Sequence, residues 1–588
     1  MSVLRYYLLV LTLAIAGFVI ILSVAVREAP TPTTTMPDQS PFLTDPFLQF
    51  PTATSVRVVW FTEFRGLRHT VTANNHTELA NTTRLTRTRE DKDSNLPDTE
   101  SLATPTRREI WRHEAEIRGL TPGQRIPYIV SSQREDGEIL SSEEFTLFAA
   151  PAVGTPLKIL LTSDHQLMPM TAANLQKVAE TVGQVDAVFH AGDLVNIPDR
   201  ASEWFDSDNG NAFFPCLQGY ADYDLQKNGR VTRYRGAAIV QNAPLFPTIG
   251  NHEVMGRYSG ETPLHAQFND AVPRRVAKER YEENAIGDDP QVRQAWVKAN
   301  SFNTDTYEEI FSIPHSDPGG KTYYASSFGD LRLVVLYATN VWRKPQTDET
   351  IKGRYQERTE DLDDPTKWGY GQHIFESIEP GSPQYEWLVK ELNSPEFRSA
   401  KYKIVMFHHP PHTLGGNIVP AYTDPVPQID RDETGKVTAV RYEYPKENDY
   451  LQRDVLPLLE AAGVQLVYFG HSHLWNRFLS PAGTHYLESS NVGNSYGAFW
   501  KTQTRKVPRD NDPNYAATGD PYGLEPVFPS IEPLKNEVGE PLPYIASNDI
   551  TAFSIFETET GTVTSYYFDT RNPESDVRKF DEFQLTVR

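Results

Sequence analysis

The sequence predicts an α/β domain, a sheet covered by helices, preceded by an all-β sandwich and by a transmembrane helix. Three observations carry this expectation. After Pro156 buried strands alternate with an amphipathic helix, between Ser55 and Val130 short strands recur at sandwich spacing, and Tyr6 to Val26 contains no charge.

The uncharged run is 21 residues long, behind Arg5 and ahead of Arg27-Glu28. A bilayer span needs about 20 apolar residues. Residues 1–27 are therefore expected to form an uncleaved signal anchor. Ser23-Val24-Ala25 offers a small-residue cleavage site as the alternative, which would make the chain secreted. The charge flanks are nearly balanced, so the orientation rests on Arg5, the amino terminus and the large domain that follows. Its expected place is extracytoplasmic, periplasmic or extracellular. Residues 28–40 hold Ala-Pro-Thr-Pro-Thr-Thr-Thr-Met-Pro, an extended linker without core residues.

Residues 41–152 are expected to form the sandwich. Ser55 to Thr62 partly alternates, His69 to Ala73 and Arg112 to Ile117 continue the theme, and Leu120-Thr121-Pro122-Gly123 turns into Ile126 to Val130. The order resembles a fibronectin type III-like module, in particular the N-terminal module of purple acid phosphatases. Arg84 to Thr106 is polar and is expected to be a long loop, while Trp60 and Trp111 are expected in the core.

Residues 155–588 are expected to form the second domain. Leu157 to Leu161, Ala187 to Phe189, Leu331 to Tyr337, Tyr402 to Phe407 and Val464 to Phe469 are continuous apolar strands. Thr171 to Val182, Pro383 to Leu392 and Asp454 to Ala462 carry helical patterns. Met255 to Asn300 and Lys344 to Glu379 are charged insertions, and Pro508 to Leu542 is a Pro- and Asp-rich loop. Ile550 to Glu557 and Thr562 to Phe568 form a hairpin assigned to the same domain.

Composition narrows the function. Apolar content of 39% and aromatic content of 11% suit a globular chain with a real core. A net charge of -22 excludes nucleic acid as the expected partner, because a phosphate backbone needs a basic face. It does not exclude a phosphorylated small molecule, since bound metal reverses the local field. The single cysteine, Cys216, rules out an intrachain disulfide. Nothing in the sequence sets the oligomeric state.

Five blocks then repeat one format, an apolar strand followed by metal-capable side chains. They are Thr162-Ser163-Asp164-His165-Gln166, His190-Ala191-Gly192-Asp193, Gly250-Asn251-His252-Glu253, His408-His409-Pro410-Pro411 and Gly470-His471-Ser472-His473. In open α/β sheets ligands bind outside the carboxyl ends of strands, so five such ends converge on one crevice. Asn and His supply oxygen and nitrogen donors without a thiolate, a set that fits Mn, Fe or Zn.

The order and spacing of these blocks resemble the calcineurin-like metallophosphoesterase superfamily over roughly Leu157 to Gly497, in its purple acid phosphatase-like branch. Thr322-Tyr323-Tyr324, Phe328-Gly329, Gln384 to Leu388 and Gly470 to Arg477 are similar to stretches of those relatives. The resemblance implies a two-sheet β-sandwich flanked by helices and a phosphoric ester hydrolase. It implies two divalent metal ions bridged by Asp193, with Asp164 and His473 on the first and Asn251, His408 and His471 on the second. A water bridging the ions would attack phosphorus in line, and no covalent intermediate is needed. His252, held by Glu253, would face the substrate as transition-state stabiliser or general acid. His409 and His190 are expected to be structural, and His165 to turn inward only if the local turn changes.

Two departures qualify the resemblance. Gln166 stands where the superfamily commonly has His; its amide oxygen is expected to ligate more weakly, which tilts the metal towards Mn. Asn196 stands where purple acid phosphatases have a Tyr, so no purple colour and no strong preference for ferric iron are expected. The alternative reading is a catalytically degenerate scaffold or binding protein on the same fold, favoured only by Gln166. Monoester and diester substrates stay equally open, and Arg257, Arg343 and His412 are the charged candidates for substrate contact.

Overall fold

Period-two burial within single strands shows how the layers stack. In Leu331–Val335, Leu331, Leu333 and Val335 join one apolar cluster and Val334 joins another. Successive side chains of a strand point to opposite faces, so this strand is buried on both. The computed structural model describes residues 40–509 and 512–586, and Ser40–Arg588 groups as one unit. The expected membrane helix and the linker up to residue 39 lie outside the described residues. Among the described residues no helix is long and apolar enough to cross a membrane.

Two sheets face each other in the α/β part. The first runs Leu245–Pro247, Ala187–His190, Lys158–Thr162, Ile550–Glu557, Thr562–Asp569 and Arg578–Gln584. Its first three strands are parallel and the rest antiparallel. The second runs Tyr324–Phe328, Leu331–Val335, Tyr402–Met406, Leu466–Phe469, His485–Ser489, Trp475–Leu479 and Tyr544–Ile545, with a parallel centre. Ile159, Leu161 and Phe189 of one sheet share a cluster with Leu333, Ile404 and Leu466 of the other. The helix Thr171–Val182 buries Ala172, Leu175 and Val178 in that cluster, and Pro383–Leu392 buries Leu388 and Leu392 against the far face of the second sheet. A two-sheet sandwich flanked by helices is therefore present.

Some elements depart from expectation. The segment expected as a helix from Asp454 to Ala462 starts earlier, as a π-turn at Leu451–Val455 followed by an α-helix at Leu456–Ala461. Pro457 has no amide proton, so the regular ladder is interrupted beside it. The C-terminal hairpin gains a third strand, Arg578–Gln584. Its alternating charges hid it, since a sheet-edge strand need be apolar on one face only. Buried Phe580 and the Arg477–Asp581 ion pair, 2.9 Å, tie it down.

The N-terminal segment also forms two antiparallel sheets. One has the order Phe47–Gln49, Ser55–Thr62, Trp111–Arg118, Asn81–Arg84, and the other Ile139–Ser141, Ile126–Gln133, Arg68–Ala73, His76–Leu79. Trp60 is buried between them, its indole donating to Ser132 at 3.0 Å. Ser55–Thr62 alternates only partly because its second face is buried too: Phe61 packs on Phe205 at 5.0 Å and on Phe214 at 5.8 Å. The polar stretch 84–106 is largely loop, as expected, but its start is anchored. Arg89, Glu90 and Asp91 are buried against the α/β part, with Arg89 2.7 Å from Asp199 and Asp91 3.1 Å from Arg200. At these positions the charges are paired at a contact, while most of 92–106 is exposed.

Candidate metal centre and active site

All five sequence blocks meet at one place. The strands ending in Asp164, Asp193 and Asn251 are neighbours in the first sheet, and those ending in His408 and His471 are neighbours in the second. The chain leaves its strands in the left-handed region at Asp164 (φ 55°), Asp193 (φ 56°), His471 (φ 82°) and His473 (φ 54°). Each such residue costs roughly 1–3 kcal/mol and persists only where its surroundings hold it. Gly250 is one reason for the close approach, because a Cβ there would run into the Asp193 carboxylate.

Two donor groups result. Asp193, His408 and His471 form one and Asp164, Asp193 and His473 the other, with ligand atoms of each group within 4.8 Å of one another. Asp193 belongs to both. His408 Nε2 lies 3.2 Å from Asp193 Oδ2, 3.2 Å from Asn251 Oδ1 and 3.0 Å from His471 Nδ1, and His473 Nε2 lies 3.3 Å from Asp164 Oδ1. All six side chains are buried.

The donor set fits divalent ions. His408 Nδ1 donates to the Ala191 carbonyl at 2.7 Å, and His473 Nδ1 donates to Asn494. Such outer partners fix the tautomer that leaves Nε2 for a cation. Burial alone would push the His408 imidazole down, but the adjacent Asp193 outweighs it and lifts it to about 9. The cluster thus draws a positive charge to the point where a metal would sit. Gln166 Oε1 is buried without a partner, and its amide nitrogen lies 3.3 Å from Asp193 Oδ2. Gln166 therefore reaches Asp193, the carboxylate common to both groups, with an oxygen to spare for a ligand role.

A family model for calcineurin-like phosphoesterases matches residues 157–474. The chain belongs to that family. Among solved structures, the phosphoesterase is similar to the purple acid phosphatase PPD1 from yellow lupin (Lupinus luteus) seeds. That match has a TM-score of 0.51 and 13% identity, covering 92% of this chain and 73% of that one. A structure of PhoD matches with a TM-score of 0.42 and 12% identity over 95% of this chain and 94% of that one. At such identity the lupin enzyme shows a shared fold. No curated protein matches the chain.

The expected link between Glu253 and His252 is corrected by the phosphoesterase's geometry. The Glu253 carboxylate accepts from the amides of Gly250 at 2.7 Å, Asp193 at 2.8 Å and Leu194 at 2.7 Å. It caps its own 3₁₀ turn, Asn251–Glu253, and holds the strained Asp193 in place. Fully buried, Glu253 does not face the cleft. His252 is held by Asn196 instead, its Nδ1 donating to that carbonyl at 2.7 Å, and it stacks on Phe268 at 5.1 Å. Nδ1 being engaged, Nε2 is the nitrogen left for substrate. His252 lines a cleft of about 630 Å³ together with Gln166, Asp193, Asn251, His471 and His473.

The remaining histidines divide as expected. His165 bonds to Thr162 at 2.9 Å and packs edge-on to His190 at 4.4 Å, and burial pushes it down to about 3. His409 packs on Tyr422 at 4.7 Å. The three charged candidates for substrate contact do not line the cleft. Arg257 pairs with Asp270 at 2.7 Å, His412 with Asp520 at 3.2 Å, and buried Arg343 donates to the carbonyls of Asn269 and Ala271.

A chain of buried contacts that the sequence did not reveal runs from the sandwich to His252. Asp91 Oδ1 accepts from Arg200 at 3.1 Å, and Arg200 donates to Glu203 Oε1 at 2.9 Å. Glu203 Oε2 accepts from the amides of Asn196 at 2.7 Å and Ile197 at 2.8 Å. Asn196 in turn holds His252 and donates to the Gln166 carbonyl at 2.7 Å. These residues position the imidazole without touching the cleft's contents. Glu203→Gln is expected to lower kcat by about 10-fold to 100-fold with KM nearly unchanged, since small displacements of a catalytic group have effects of that order. Asp91→Asn is expected to do the same more weakly. Steady-state kinetics on folded variants checks both, and an unchanged kcat for Glu203→Gln would remove the positioning role.

Proposed function

We propose that this phosphoesterase hydrolyses the phosphate esters of phosphorylated small molecules at a centre of two divalent ions. The observation that carries the reading is the meeting of Asp164, Asp193, Asn251, His408, His471 and His473 beside a cleft that His252 faces. Bound there, two such ions supply Lewis-acid polarisation of the phosphoryl group and neutralise part of its charge. The donor set suits Mn, Fe or Zn. The backbone amide of His252 donates to Asp193 Oδ1 at 2.9 Å, which orients the shared carboxylate. His252 Nε2 is placed to donate a hydrogen bond to a phosphoryl oxygen and a proton to the departing alkoxide, a step typically worth about 10²–10⁴-fold. Asn196 keeps that nitrogen pointed into the cleft. Arg354 and Arg505 line the same cleft and donate to backbone carbonyls rather than to carboxylates, so their charge favours an anion in a protein that is acidic as a whole.

The same proposal places the chain in a membrane through residues 1–27, with the phosphoesterase part outside the cytoplasm. It rests on the uncharged run Tyr6 to Val26 and on the large domain that follows. Recovery of the full chain in the membrane fraction, and of a chain lacking residues 1–27 in the soluble one, is the expected result.

The catalytic reading is tested by stripping the full chain of metal and assaying chromogenic phosphate monoesters and diesters with and without Mn²⁺. Metal-dependent turnover is expected, and the ratio of the two rates sets the ester class. Absence of turnover with Mn²⁺, Zn²⁺ and Fe²⁺ alike would leave the scaffold reading in its place.

A further inference from the structure

The walls of the cleft differ from its floor. Among the described residues four aromatic side chains stand largely exposed: Tyr258, Trp342, Tyr496 and Phe528. Two of the four, Trp342 at 42% and Tyr496 at 64%, line this cleft. Large apolar faces left in water at a concave site mark a surface that something covers.

Both rings are held in place by the centre itself. Trp342 Nε1 donates to Asn417 Oδ1 at 3.3 Å, and Asn417 Nδ2 donates to the His471 carbonyl at 2.9 Å. The Arg354 guanidinium lies 6.0 Å from the indole centroid. Tyr496 packs on His473 at 4.6 Å. One exposed ring is thus coupled to the loop of each donor group, and a third ring, Phe268, also lines the cleft and stacks on His252. Rings ordered before binding lose little entropy on contact.

We propose that the substrate is a phosphate ester whose organic group carries a planar aromatic ring, which packs on Trp342 and Tyr496. The inference rests on the phosphate-binding reading above and deepens it. A cleft of about 630 Å³ leaves room for such a group beside the phosphate. Planar rings gain from offset or edge-on contact with aromatic walls beyond the area they bury, so a ring is preferred to an aliphatic group of equal size.

Phosphonates test this without turnover and without differences in leaving-group reactivity. The full chain, loaded with Mn²⁺, is titrated by calorimetry with benzylphosphonate, cyclohexylmethylphosphonate and inorganic phosphate. The expected result is a preference of about tenfold for the benzyl over the cyclohexylmethyl compound. Trp342→Ala and Tyr496→Ala are each expected to shrink that preference severalfold, with Trp342→Phe retaining most of it. Equal affinity for the two phosphonates would overturn the proposal, as would a preference that survives both alanine variants. Binding of inorganic phosphate but of neither phosphonate would overturn it while leaving the phosphate site intact. Failure to bind phosphate at all would sink the phosphate-site reading and this proposal with it.

Discussion

Asp193→Ala is expected to abolish stoichiometric metal binding and to lower turnover by on the order of 10³-fold or more, the rate equivalent of several kcal/mol of lost charge stabilisation. Asp193 is the one acidic side chain common to both donor groups. Its Oδ2 lies 3.2 Å from His408 and 3.3 Å from Gln166, and its Oδ1 accepts the amide of His252. Removing it unlinks both halves of the centre and the catalytic loop together. The same removal relieves nothing in the backbone, since the left-handed conformation at this position persists under the Glu253 cap. Asp193→Asn separates charge from shape: it keeps the side chain's outline and is expected to lose metal nearly as completely, with folding retained. Elemental analysis and thermal unfolding of both variants distinguish this outcome. A variant that keeps two equivalents of metal would show that Asp193 is not the bridge.

His252→Ala is expected to have the second largest effect, a fall in kcat of about 10²–10⁴-fold with metal content unchanged. His252 belongs to neither donor group, and its Nδ1 is engaged by Asn196. In the proposed reaction its contribution is therefore to the substrate's oxygens. The size of the loss depends on the leaving group, and that dependence identifies the role. An ester that departs as a stable phenolate needs little protonation, so the variant loses least on chromogenic substrates. An alkyl ester departs as a basic alkoxide, and there the full loss is expected. Equal losses across leaving groups would point to binding or transition-state charge stabilisation alone.

The donor cluster is legible in the sequence because each candidate follows an apolar run at once, and residues at strand ends are placed by topology alone. Asp164, Asp193, Asn251, His408, His471 and His473 all come together as the blocks implied. Glu253 was misassigned to His252 because adjacency in sequence suggested contact. A 3₁₀ turn sends neighbouring side chains in different directions, and Gly250 with Glu253 three residues on carried a capping signal that pointed to the correct role. Asn196 was noticed only as a missing Tyr. Its hold on His252 uses a backbone carbonyl, which any residue type supplies and no sequence pattern marks. Asn494, which orients His473, and Asn417, which ties Trp342 to His471, contact partners 21 and 54 residues away or more through loops without a motif. Within the loop 84–106 composition does not separate the buried charges at 89–91 from the exposed ones that follow, because ion pairs and surface charges use the same residues. Only their partners, Asp199 and Arg200 of the α/β part, tell the two apart.

If the five strand ends build one two-metal hydrolytic centre, back-titration of the metal-stripped full chain with Mn²⁺ shows it when bound metal and turnover are followed together. Binding that saturates at two equivalents, with turnover rising in step to a plateau there, is the predicted result. Saturation at one equivalent with full activity, or two equivalents bound with no turnover of any phosphate ester, would contradict it.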